Sequence, residues 1–367
     1  MNDPTIPIVV TAARQESVSI EVQPGAVTEQ ADCLIDRIRA CGLSARIVVD
    51  SGAVQHNEAL AKTLECLTKG IEGSALLVVQ GGERAKTMGT LRRIIAWLDS
   101  QATRRRSDLV IGIGGGAVLD TLSLAAALYR RGVDFWRIPT TLLSAIDAGL
   151  GAKSAVNFYG RKNLVGTYRL PRRVIIDPVA LRSISGRQLR SGLAEAIKLG
   201  LAADAELFRM IEEHSEHLIT ERCQSPVGYA FVRRAISSML AEVSQDLWED
   251  DLVHPTDLGH SFSRIMEQVL RPRPLHGEAV AMDIAFSFAC SVTLRLCEPQ
   301  ERLRCIDLLQ RTGLPVARPD LTLAVLQQGY DDIVVHRDSE LFPLPVSPGN
   351  TVITQLQRST LVRAISR

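Results

Sequence analysis

The chain has 367 residues, enough for two domains, because a single domain usually takes about 100–200 residues. Hydrophobic residues make up 46% of the sequence, charged residues make up 23%, and the net charge is +1. This balance is typical of a soluble globular protein and argues against nucleic-acid and membrane-surface binding, which depend on clustered basic residues. Seven cysteines without CxxC spacing, and an N-terminus unlike a signal peptide, predict a cytoplasmic protein.

The first part of the chain alternates between strand-like and helix-like segments. β-rich or apolar runs predict strands at residues 8–11, 17–22, 45–50, 74–80, 108–112 and 135–138. Helical periodicity predicts helices at 30–41, 58–69 and 87–98, and an apolar helix begins near Asp120. Because most of these strands are apolar throughout, both faces of their sheet need covering, which favours a doubly wound, mostly parallel sheet.

The second part of the chain predicts long amphipathic helices, at residues 186–201, 205–217, 227–247, 257–270, 278–296 and 301–312. Pro178 and the stretch 183–186 mark the expected domain boundary. The predicted fold class is α/β plus α, with an α/β domain over residues 1–180 and an all-helical domain over residues 181–367. Three prolines follow Arg337, and a strand-like apolar run lies near Val352.

Acidic and glycine residues follow three predicted strands, at the edge where parallel α/β sheets bind their ligands. They are Asp50, the Gly81-Gly82-Glu83 turn and the Gly114-Gly115-Gly116 turn. Such glycines let backbone N–H groups approach a pyrophosphate, and an acid at a strand end can accept from ribose hydroxyls. The match to the dinucleotide fingerprint is weak, because the acid precedes the glycines, and a tight turn with close helix packing is the alternative.

The segment after the last predicted strand is rich in Thr, Lys, Asn and Gly. Its polar residues include Thr140, Thr141, Asp147, Lys153, Asn157, Lys162 and Asn163. This composition suits a phosphorylated or polyhydroxylated ligand, and a solvated hairpin would have the same composition.

One carboxylate and two histidines have the composition of a metal site with an open position for substrate. Glu195 precedes Lys198 on one helix face, and His260 and His276 each lie beside a glycine. Spacing alone also allows a surface carboxylate and two structural histidines. A second pair, His214 and His217, lies on a highly charged helix and is expected to be exposed to solvent.

In order and spacing, these motifs resemble the dehydroquinate synthase-like sugar phosphate cyclases from about Asp50 to Arg337. The stretches that carry the resemblance are GGGAVLD (114–120), RRGVD (130–134), PTTLL (139–143), DAGLGAK (147–153), Lys162-Asn163, GLAEAIK (192–198), GHSF (259–262) and LHGEAV (275–280). The resemblance implies an N-terminal NAD-binding domain and a C-terminal metal-binding domain, with the active site in the cleft between them.

The resemblance also implies roles for individual residues. Glu195, His260 and His276 match the ligands of a Zn²⁺ ion, with Co²⁺ as an alternative. The implied NAD-binding residues are Asp50, Glu83, Lys86, Gly114, Gly115, Gly116, Asp120, Thr140, Thr141 and Lys162. The implied catalytic and substrate-contacting residues are Asp147, Lys153, Lys162, Asn163, Lys198 and Asp257. Arg131 matches an arginine that reaches the phosphate site of a neighbouring subunit, which implies a homodimer.

Two positions near the first histidine separate subgroups of this family. Dehydroquinate synthases have Asn-Leu-Gly-His with an arginine four residues earlier for the substrate carboxylate, whereas this chain has Asp257 and Val253. Valine cannot hold a carboxylate, and Asp257 would repel one. The aspartate form, the 246–249 stretch and the 336–338 stretch resemble the sedoheptulose 7-phosphate cyclases, the group of the 2-epi-5-epi-valiolone synthases. Arg264, Ala155 and the turn at 346–349 depart from that group's usual pattern.

The resemblance implies that sedoheptulose 7-phosphate is cyclised to a C7 cyclitol for aminocyclitol or related natural-product chemistry. NAD transiently oxidises C5, phosphate is eliminated, the hydride returns, and an intramolecular aldol reaction closes the ring. Desmethyl-4-deoxygadusol, 2-epi-valiolone and 2-deoxy-scyllo-inosose synthases are alternatives of the same fold. A metal-dependent polyol dehydrogenase is more distant, since it would not need the Lys162-Asn163 loop, and a non-catalytic binding protein is a third class.

Overall fold

The computed structural model describes residues 15–366, so the strand predicted at 8–11 lies outside the described residues. The first half of the chain forms eight strands, and the apolar runs of the sequence account for its central ones, since β4 and β5 are buried at every position. The strands are β1 (Ser19–Val22), β2 (Ser44–Asp50), β3 (Ala75–Val79), β4 (Asp108–Gly114), β5 (Phe135–Pro139), β6 (Lys153–Phe158), β7 (Arg161–Tyr168) and β8 (Arg173–Ile176).

Six of these strands form a parallel sheet in the order β1-β8-β5-β4-β2-β3. The chain passes from β2 outward to β3 and then returns to place β4 on the other side of β2. The direction of winding therefore changes between β2 and β4, which end at Asp50 and Gly114. In doubly wound sheets a ligand binds beyond the carboxyl ends of the strands at such a switch point.

Helices cover both faces of this sheet, as the apolar strands predict. They are α1 (Ala31–Ala40), α2 (Ser51–His56), α3 (Glu58–Gly70), α4 (Met88–Ser100) and α5 (Gly116–Leu128). Ile47 and Val49 of β2 pack with α1 and α3, whereas Val48 packs on the opposite face with α4 and α5. This alternation follows from the period of two in a strand and confirms the predicted two-sided sheet.

The second half of the chain is mainly helical. Its helices are α6 (Gly186–Ala202), α7 (Ala205–Thr220), α8 (Pro226–Val243), α9 (Ser263–Val269), α10 (His276–Thr293), α11 (Pro299–Arg311), α12 (Leu323–Arg337) and α13 (Arg358–Ala364). An antiparallel hairpin of β9 (Leu341–Ser347) and β10 (Asn350–Gln355) lies between the last two helices, and β10 contains the strand-like run predicted near Val352. α12 and α13 were not predicted from the sequence.

The helix predicted over residues 257–270 is wrong in its first part. Pro255–Asp257 is a 3₁₀ turn, Gly259 has φ +75°, and α9 begins only at Ser263. A positive φ cannot continue a right-handed helix, and the buried Asp283 of α10 accepts hydrogen bonds from the N–H groups of Phe262 and Ser263 at the start of α9. This contact with a distant helix fixes where α9 starts, and it leaves His260 in a turn.

A continuous apolar core joins the sheet to the helices. Leu142 and Ile146 after β5, and Val174 and Ile176 of β8, pack with α6, α7, α8, α10 and α11. The division at residue 180 therefore stays a prediction, because the core crosses it. Within residues 15–366, no helix combines the length and the apolar character that a membrane span requires.

Candidate active site

The three side chains predicted as metal ligands converge at one point. Glu195 lies in α6, His276 is the first residue of α10, and His260 lies in the turn before α9. The Oε1 atom of Glu195 is 3.4 Å from His260 Nε2 and 3.0 Å from His276 Nε2, and the two Nε2 atoms are 3.3 Å apart. Among the described residues, these three are the group whose potential ligand atoms all lie within 4.8 Å of one another.

Close packing of α10 on α6 brings His276 to Glu195. A Cβ atom at Gly277 would lie 1.9 Å from the carbonyl oxygen of Ser191, so only glycine allows this approach. The N–H of Gly277 donates to Ser191 Oγ over 2.9 Å, one helical turn before Glu195. Gly259 also lies close to α10, because a Cβ there would lie 2.9 Å from Val280. This close approach places the adjacent His260 beside α10.

The spacing of these atoms fits a zinc ion. A tetrahedral Zn²⁺ with bonds of about 2.0–2.1 Å holds neighbouring ligand atoms about 3.3 Å apart. The separations between Glu195, His260 and His276 are 3.0–3.4 Å. One carboxylate and two imidazoles are also a ligand set of catalytic zinc sites, which leave a fourth position for water or substrate.

A buried lysine balances the charge of the carboxylate ligand. Lys198 Nζ lies 2.6 Å from Glu195 Oε2, and both side chains are almost fully buried. Burial raises the pKa of Glu195, but Lys198 and His260 outweigh it and hold that pKa well below its usual range. Burial likewise lowers the pKa of Lys198, and Glu195 and Asp147 raise it on balance. Glu195 is therefore ionised, as a metal ligand must be.

The site contains a second carboxylate, Glu267 of α9, which was not predicted from the sequence. Its Oε1 lies 3.0 Å from His276 Nδ1, and its Oε2 lies 2.6 Å from Lys162 Nζ. Burial raises the pKa of Glu267, but His276 and Lys162 outweigh burial and lower it to about 2. Burial lowers the pKa of His276, and Glu267 and Glu195 raise it on balance to about 10. A carboxylate on the second nitrogen of a ligating histidine is common in metal sites and fixes the ring orientation.

The strand ends at the switch point have the features of a dinucleotide-binding crevice. A Cβ at Gly81 would lie 2.2 Å from the carboxylate oxygens of Asp50, and one at Gly114 would lie 2.8 Å from its Cβ, so Asp50 fills the space between the two glycine turns. α5 begins at Gly116 after Gly115, and no side chain caps its first turn. Its first N–H groups are therefore available to a pyrophosphate, as the sequence predicts.

The two threonines after β5 border the same turn. The N–H of Thr140 donates to the carbonyl of Gly114 over 3.0 Å. A Cβ at Gly115 would lie 3.4 Å from the methyl group of Thr141. Thr141 and Ser144 bond to each other at the start of a π-helical turn, Ser144–Ala148, which carries Asp147.

Lys86 links the crevice to the β6–β7 hairpin. The ammonium of Lys86 donates to Asp120 Oδ2 over 2.5 Å and to Asn163 Oδ1 over 2.6 Å, and the side chain is buried. Lys162 precedes Asn163 in β7, and its ammonium lies 3.6 Å from Glu83 Oε1. Asn163 has φ +54°, so the hairpin departs from regular strand geometry at this residue. The two adjacent side chains reach different partners: Asn163 accepts from the ammonium of Lys86, and Lys162 donates to the carboxylate of Glu267.

Two further predicted residues pair with charged groups that carried no predicted role. Lys153 is largely exposed, and its ammonium contacts Glu249, which also accepts from the hydroxyl of Tyr168 over 3.0 Å. Asp257 Oδ2 lies 3.6 Å from a guanidinium nitrogen of Arg337, a buried residue at the end of α12. Burial raises the pKa of Asp257, but Arg337 and the N–H of His254, with other nearby cations, together outweigh burial and lower that pKa, so Asp257 is ionised.

Arg131 is exposed, and no ion pair among residues 15–366 includes it. Its backbone has φ +61°, between Arg130 at +50° and Gly132 at +110°. Arg105 donates to the carbonyls of Gly132 and Arg131 over 3.1 and 3.4 Å, which holds this turn in place.

The second histidine pair, His214 and His217, does not belong to the metal-ligand group. His217 is exposed and His214 is partly exposed on α7, as the charged helix predicts.

Comparison with known proteins identifies the family. The 3-dehydroquinate synthase N-terminal model matches residues 76–191, and the 3-dehydroquinate synthase C-terminal model matches residues 192–332. The sheet, the helical half and the carboxylate–imidazole site are thus those of a sugar phosphate cyclase fold. The chain belongs to the 3-dehydroquinate synthase family.

Its relatives within this family include cyclitol synthases. A 2-epi-5-epi-valiolone synthase of Actinomyces sp. is 40% identical over 281 residues, which are 75% of this chain and 74% of that protein. A 2-epi-valiolone synthase of Actinosynnema mirum is 38% identical over 295 residues, 78% of this chain and 76% of that protein. The solved structure of a 2-epi-5-epi-valiolone synthase from Streptomyces hygroscopicus subsp. jinggangensis, with NAD⁺ and Zn²⁺ bound, superposes with a TM-score of 0.90 at 37% identity and covers 98% of both chains.

Proposed function

We propose that this chain is a sugar phosphate cyclase that converts sedoheptulose 7-phosphate to 2-epi-5-epi-valiolone and inorganic phosphate. The observation that carries the proposal is the convergence of Glu195, His260 and His276 at 3.0–3.4 Å. The β6–β7 hairpin connects this group to a dinucleotide crevice. The similarity to 2-epi-5-epi-valiolone synthases over three quarters of the chain supports the same reaction.

We propose that both cofactors bind where the residues fit them. Glu195, His260 and His276 would hold Zn²⁺, with Co²⁺ as an alternative. The residues that would hold NAD are Asp50, Glu83, Lys86, Gly114, Gly115, Gly116, Asp120, Thr140, Thr141 and Lys162. When bound, NAD supplies a reversible hydride acceptor, and Zn²⁺ supplies a Lewis acid that polarises substrate oxygens.

The side chains around the metal ligands suit the two ends of the substrate. Lys153 and Lys198 are cationic donors for the phosphate, and Lys198 also forms an ion pair with Glu195 at 2.6 Å. Asn163, and Lys162 through its remaining donors, orient the hydroxyl groups. Asp257 is ionised, so it accepts a hydrogen bond from the terminal hydroxymethyl group and disfavours a substrate carboxylate at that end.

Asp147 lies close enough to Lys198 to raise its pKa, which keeps that lysine protonated for the phosphate. The positive charge is needed most when phosphate leaves, because the leaving group then carries more negative charge than the substrate ester.

We also propose a cytoplasmic homodimer that serves aminocyclitol biosynthesis. The exposed Arg131, on a turn fixed by Arg105, is placed to reach a second copy of the chain. Light scattering tests the dimer. Co-expression of Arg131→Ala with a Glu195→Gln chain tests the shared site. A mixed dimer keeps one of its two sites, with Glu195 from one copy and Arg131 from the other. Random pairing makes about half of the dimers mixed, so activity returns to about a quarter of wild type only if Arg131 acts across the interface.

The test of the reaction uses the purified chain with sedoheptulose 7-phosphate, NAD and Zn²⁺. The expected result is release of phosphate with catalytic NAD and a C7 cyclitol identified by NMR. Absence of phosphate release contradicts the proposal, and accumulation of one NADH for each substrate consumed indicates a polyol dehydrogenase instead.

A second candidate is formation of 2-epi-valiolone, which the 38% identity to the Actinosynnema mirum enzyme supports. The two products are epimers, so the coupling constants in the NMR spectrum of the product distinguish them. 3-Dehydroquinate synthesis is disfavoured, because Val253 and Asp257 provide no cation for a substrate carboxylate.

A further inference from the structure

A continuous row of charged side chains leads from the metal ligands to the dinucleotide crevice. His276 Nδ1 lies 3.0 Å from Glu267 Oε1, Glu267 Oε2 lies 2.6 Å from Lys162 Nζ, and Lys162 Nζ lies 3.6 Å from Glu83 Oε1. Each member belongs to a different element: α10, α9, β7 and the 3₁₀ turn after β3. The Glu267 side chain is 9% exposed and that of Lys162 is 17% exposed, so water screens the central pair little.

Glu267 lies in the middle of this row of side chains, and both of its carboxylate oxygens contact a partner. One oxygen faces an imidazole of the metal site, and the other faces the ammonium of Lys162. An orientation of the carboxylate that suits one partner also fixes the position of the other. Lys162 has a long flexible side chain, and Glu267 and Glu83 are its anionic partners among the described residues.

We propose that Glu267 couples the two cofactor sites, so that occupancy of the metal site raises the affinity of the crevice for NAD. This inference rests on the proposed function, because it takes Lys162 as an NAD contact and Glu195, His260 and His276 as metal ligands. A metal on His276 Nε2 fixes the ring with its Nδ1–H toward Glu267. The ordered carboxylate then holds Lys162 in place, and NAD binding no longer has to order that side chain. Glu267 is a positioning residue in this scheme.

Linkage requires the effect to be reciprocal. If Zn²⁺ tightens NAD binding by some factor, NAD tightens Zn²⁺ binding by the same factor. Couplings between two sites in one protein commonly reach about 5-fold or more. We expect a ratio of this size here, since one buried side chain joins the two sites directly.

The experiment measures binding alone, without sugar phosphate. The full chain is freed of metal with a chelator, and the dissociation constant of NAD is measured by calorimetry with and without saturating Zn²⁺. The dissociation constant of Zn²⁺ is measured by competition with a chromophoric chelator, with and without saturating NAD. The expected result for the wild type is an NAD ratio and a Zn²⁺ ratio that are equal and at least about 5-fold.

Two variants at position 267 separate its two contacts. In Glu267→Gln the amide oxygen can still accept from His276 Nδ1–H, but the amide N–H₂ group faces the Lys162 ammonium. This variant should keep most of the Zn²⁺ affinity and bring both ratios close to 1. Glu267→Ala removes both contacts, so it should also lose about 10–100-fold in Zn²⁺ affinity.

Two further variants complete the comparison. Lys162→Met should keep the Zn²⁺ affinity of the NAD-free protein and lose the coupling. The matched control is Glu212→Gln, which removes a glutamate paired with Arg304 at 2.7 Å on the helical half, away from both sites. The control should keep both ratios at the wild-type value. Thermal unfolding of each variant verifies that it is folded, and the isosteric glutamine variant decides the test if the alanine variant does not fold.

A wild-type ratio of 1 overturns the inference, and so does a Glu267→Gln protein with the wild-type ratio. Failure of the proposed function gives a different result. A chain that shows coupled binding but releases no phosphate from sedoheptulose 7-phosphate refutes the cyclase and leaves the coupling intact. A chain that makes the cyclitol with uncoupled binding refutes only the coupling.

Discussion

Replacing the buried Arg137 by methionine should impair catalysis far more than stability. Arg137 of β5 is fully buried and donates to four acceptors: Ser123 Oγ at 2.9 Å and the carbonyls of Gly149 at 3.3 Å, Gly151 at 2.7 Å and Lys153 at 3.1 Å. The three carbonyls belong to the segment between Asp147 and Lys153, so this one side chain fixes the path between two proposed substrate contacts.

Two effects on stability nearly cancel in Arg137→Met. Four acceptors left without a donor cost about 1 kcal/mol each, or about 4 kcal/mol together. Burial lowers the pKa of Arg137 to about 10 from 12.5, which corresponds to about 3 kcal/mol against the charged form, and methionine removes that cost. We therefore expect the free energy of unfolding to fall by only about 1 kcal/mol. Displacement of Asp147 and Lys153 by about 1 Å should lower kcat/KM by about 100-fold.

Urea unfolding and steady-state phosphate release measure the two quantities. Arg46→Met is the matched control, because Arg46 is also buried, donates to the carbonyls of Gly73 and Gln101, and lies on the β2 side of the sheet beside Asp108. The control should lose stability and keep kcat/KM. An Arg137→Met enzyme with much lower stability and unchanged kcat/KM would refute the reasoning, because Arg137 would then be purely structural.

Three other substitutions test separate parts of the structure. Glu195→Gln should abolish stoichiometric zinc binding, measured by metal analysis after dialysis, since a neutral amide is a poor zinc ligand; retained zinc would contradict the assignment. Glu249→Gln removes the anionic partner of Lys153 and should tighten competitive inhibition by inorganic phosphate up to about 5-fold, the size expected for an exposed ion pair. Unchanged inhibition would place Lys153 outside the phosphate site. Asp204→Asn removes a carboxylate that stabilises the folded protein. Burial raises the pKa of Asp204, but hydrogen bonds from Arg234 and Ser238 outweigh burial and lower that pKa. The stabilisation by this carboxylate is therefore present above pH 3.8 and lost as the pH falls below that value. The difference in melting temperature between Asp204→Asn and wild type should therefore be large at pH 7 and shrink as the pH falls below 3.8. A difference independent of pH would contradict the assignment.

The parts of the fold that repeat a simple pattern were predictable. Continuous apolar strands such as β4 favour a covered, mostly parallel sheet, because strands of such sheets are buried on both faces. The glycines at 114–116 and the acid at 50 lie at strand ends in the sequence, and the sheet order places them together. The association of Glu195 with two histidines was predicted from the resemblance of whole motifs, since spacing alone left a structural explanation open.

The contacts that were not predicted depend on tertiary structure. His276 has Glu267 and Glu278 nearby in sequence, and sequence distance favours Glu278. The structure shows that Glu278 instead pairs with Arg187 at 2.6 Å and caps the first turn of α10, which leaves Glu267 for the imidazole. The turn that presents His260 was likewise missed, because the carboxylate of Asp283 that starts α9 comes from another helix.

The π-helical turn at Ser144–Ala148 makes the length of this segment as important as its composition. The N–H of Gly149 donates to the carbonyl of Ser144 over 2.8 Å, so the turn contains one residue more than an α-helical turn. Deleting a single residue here would convert it to ordinary α-helix and rotate the following side chain by about 100°. Asp147 would then face away from Lys198 although every side chain of the site remained present. In this chain we therefore expect a one-residue deletion at this turn to damage the site more than a substitution that keeps its length.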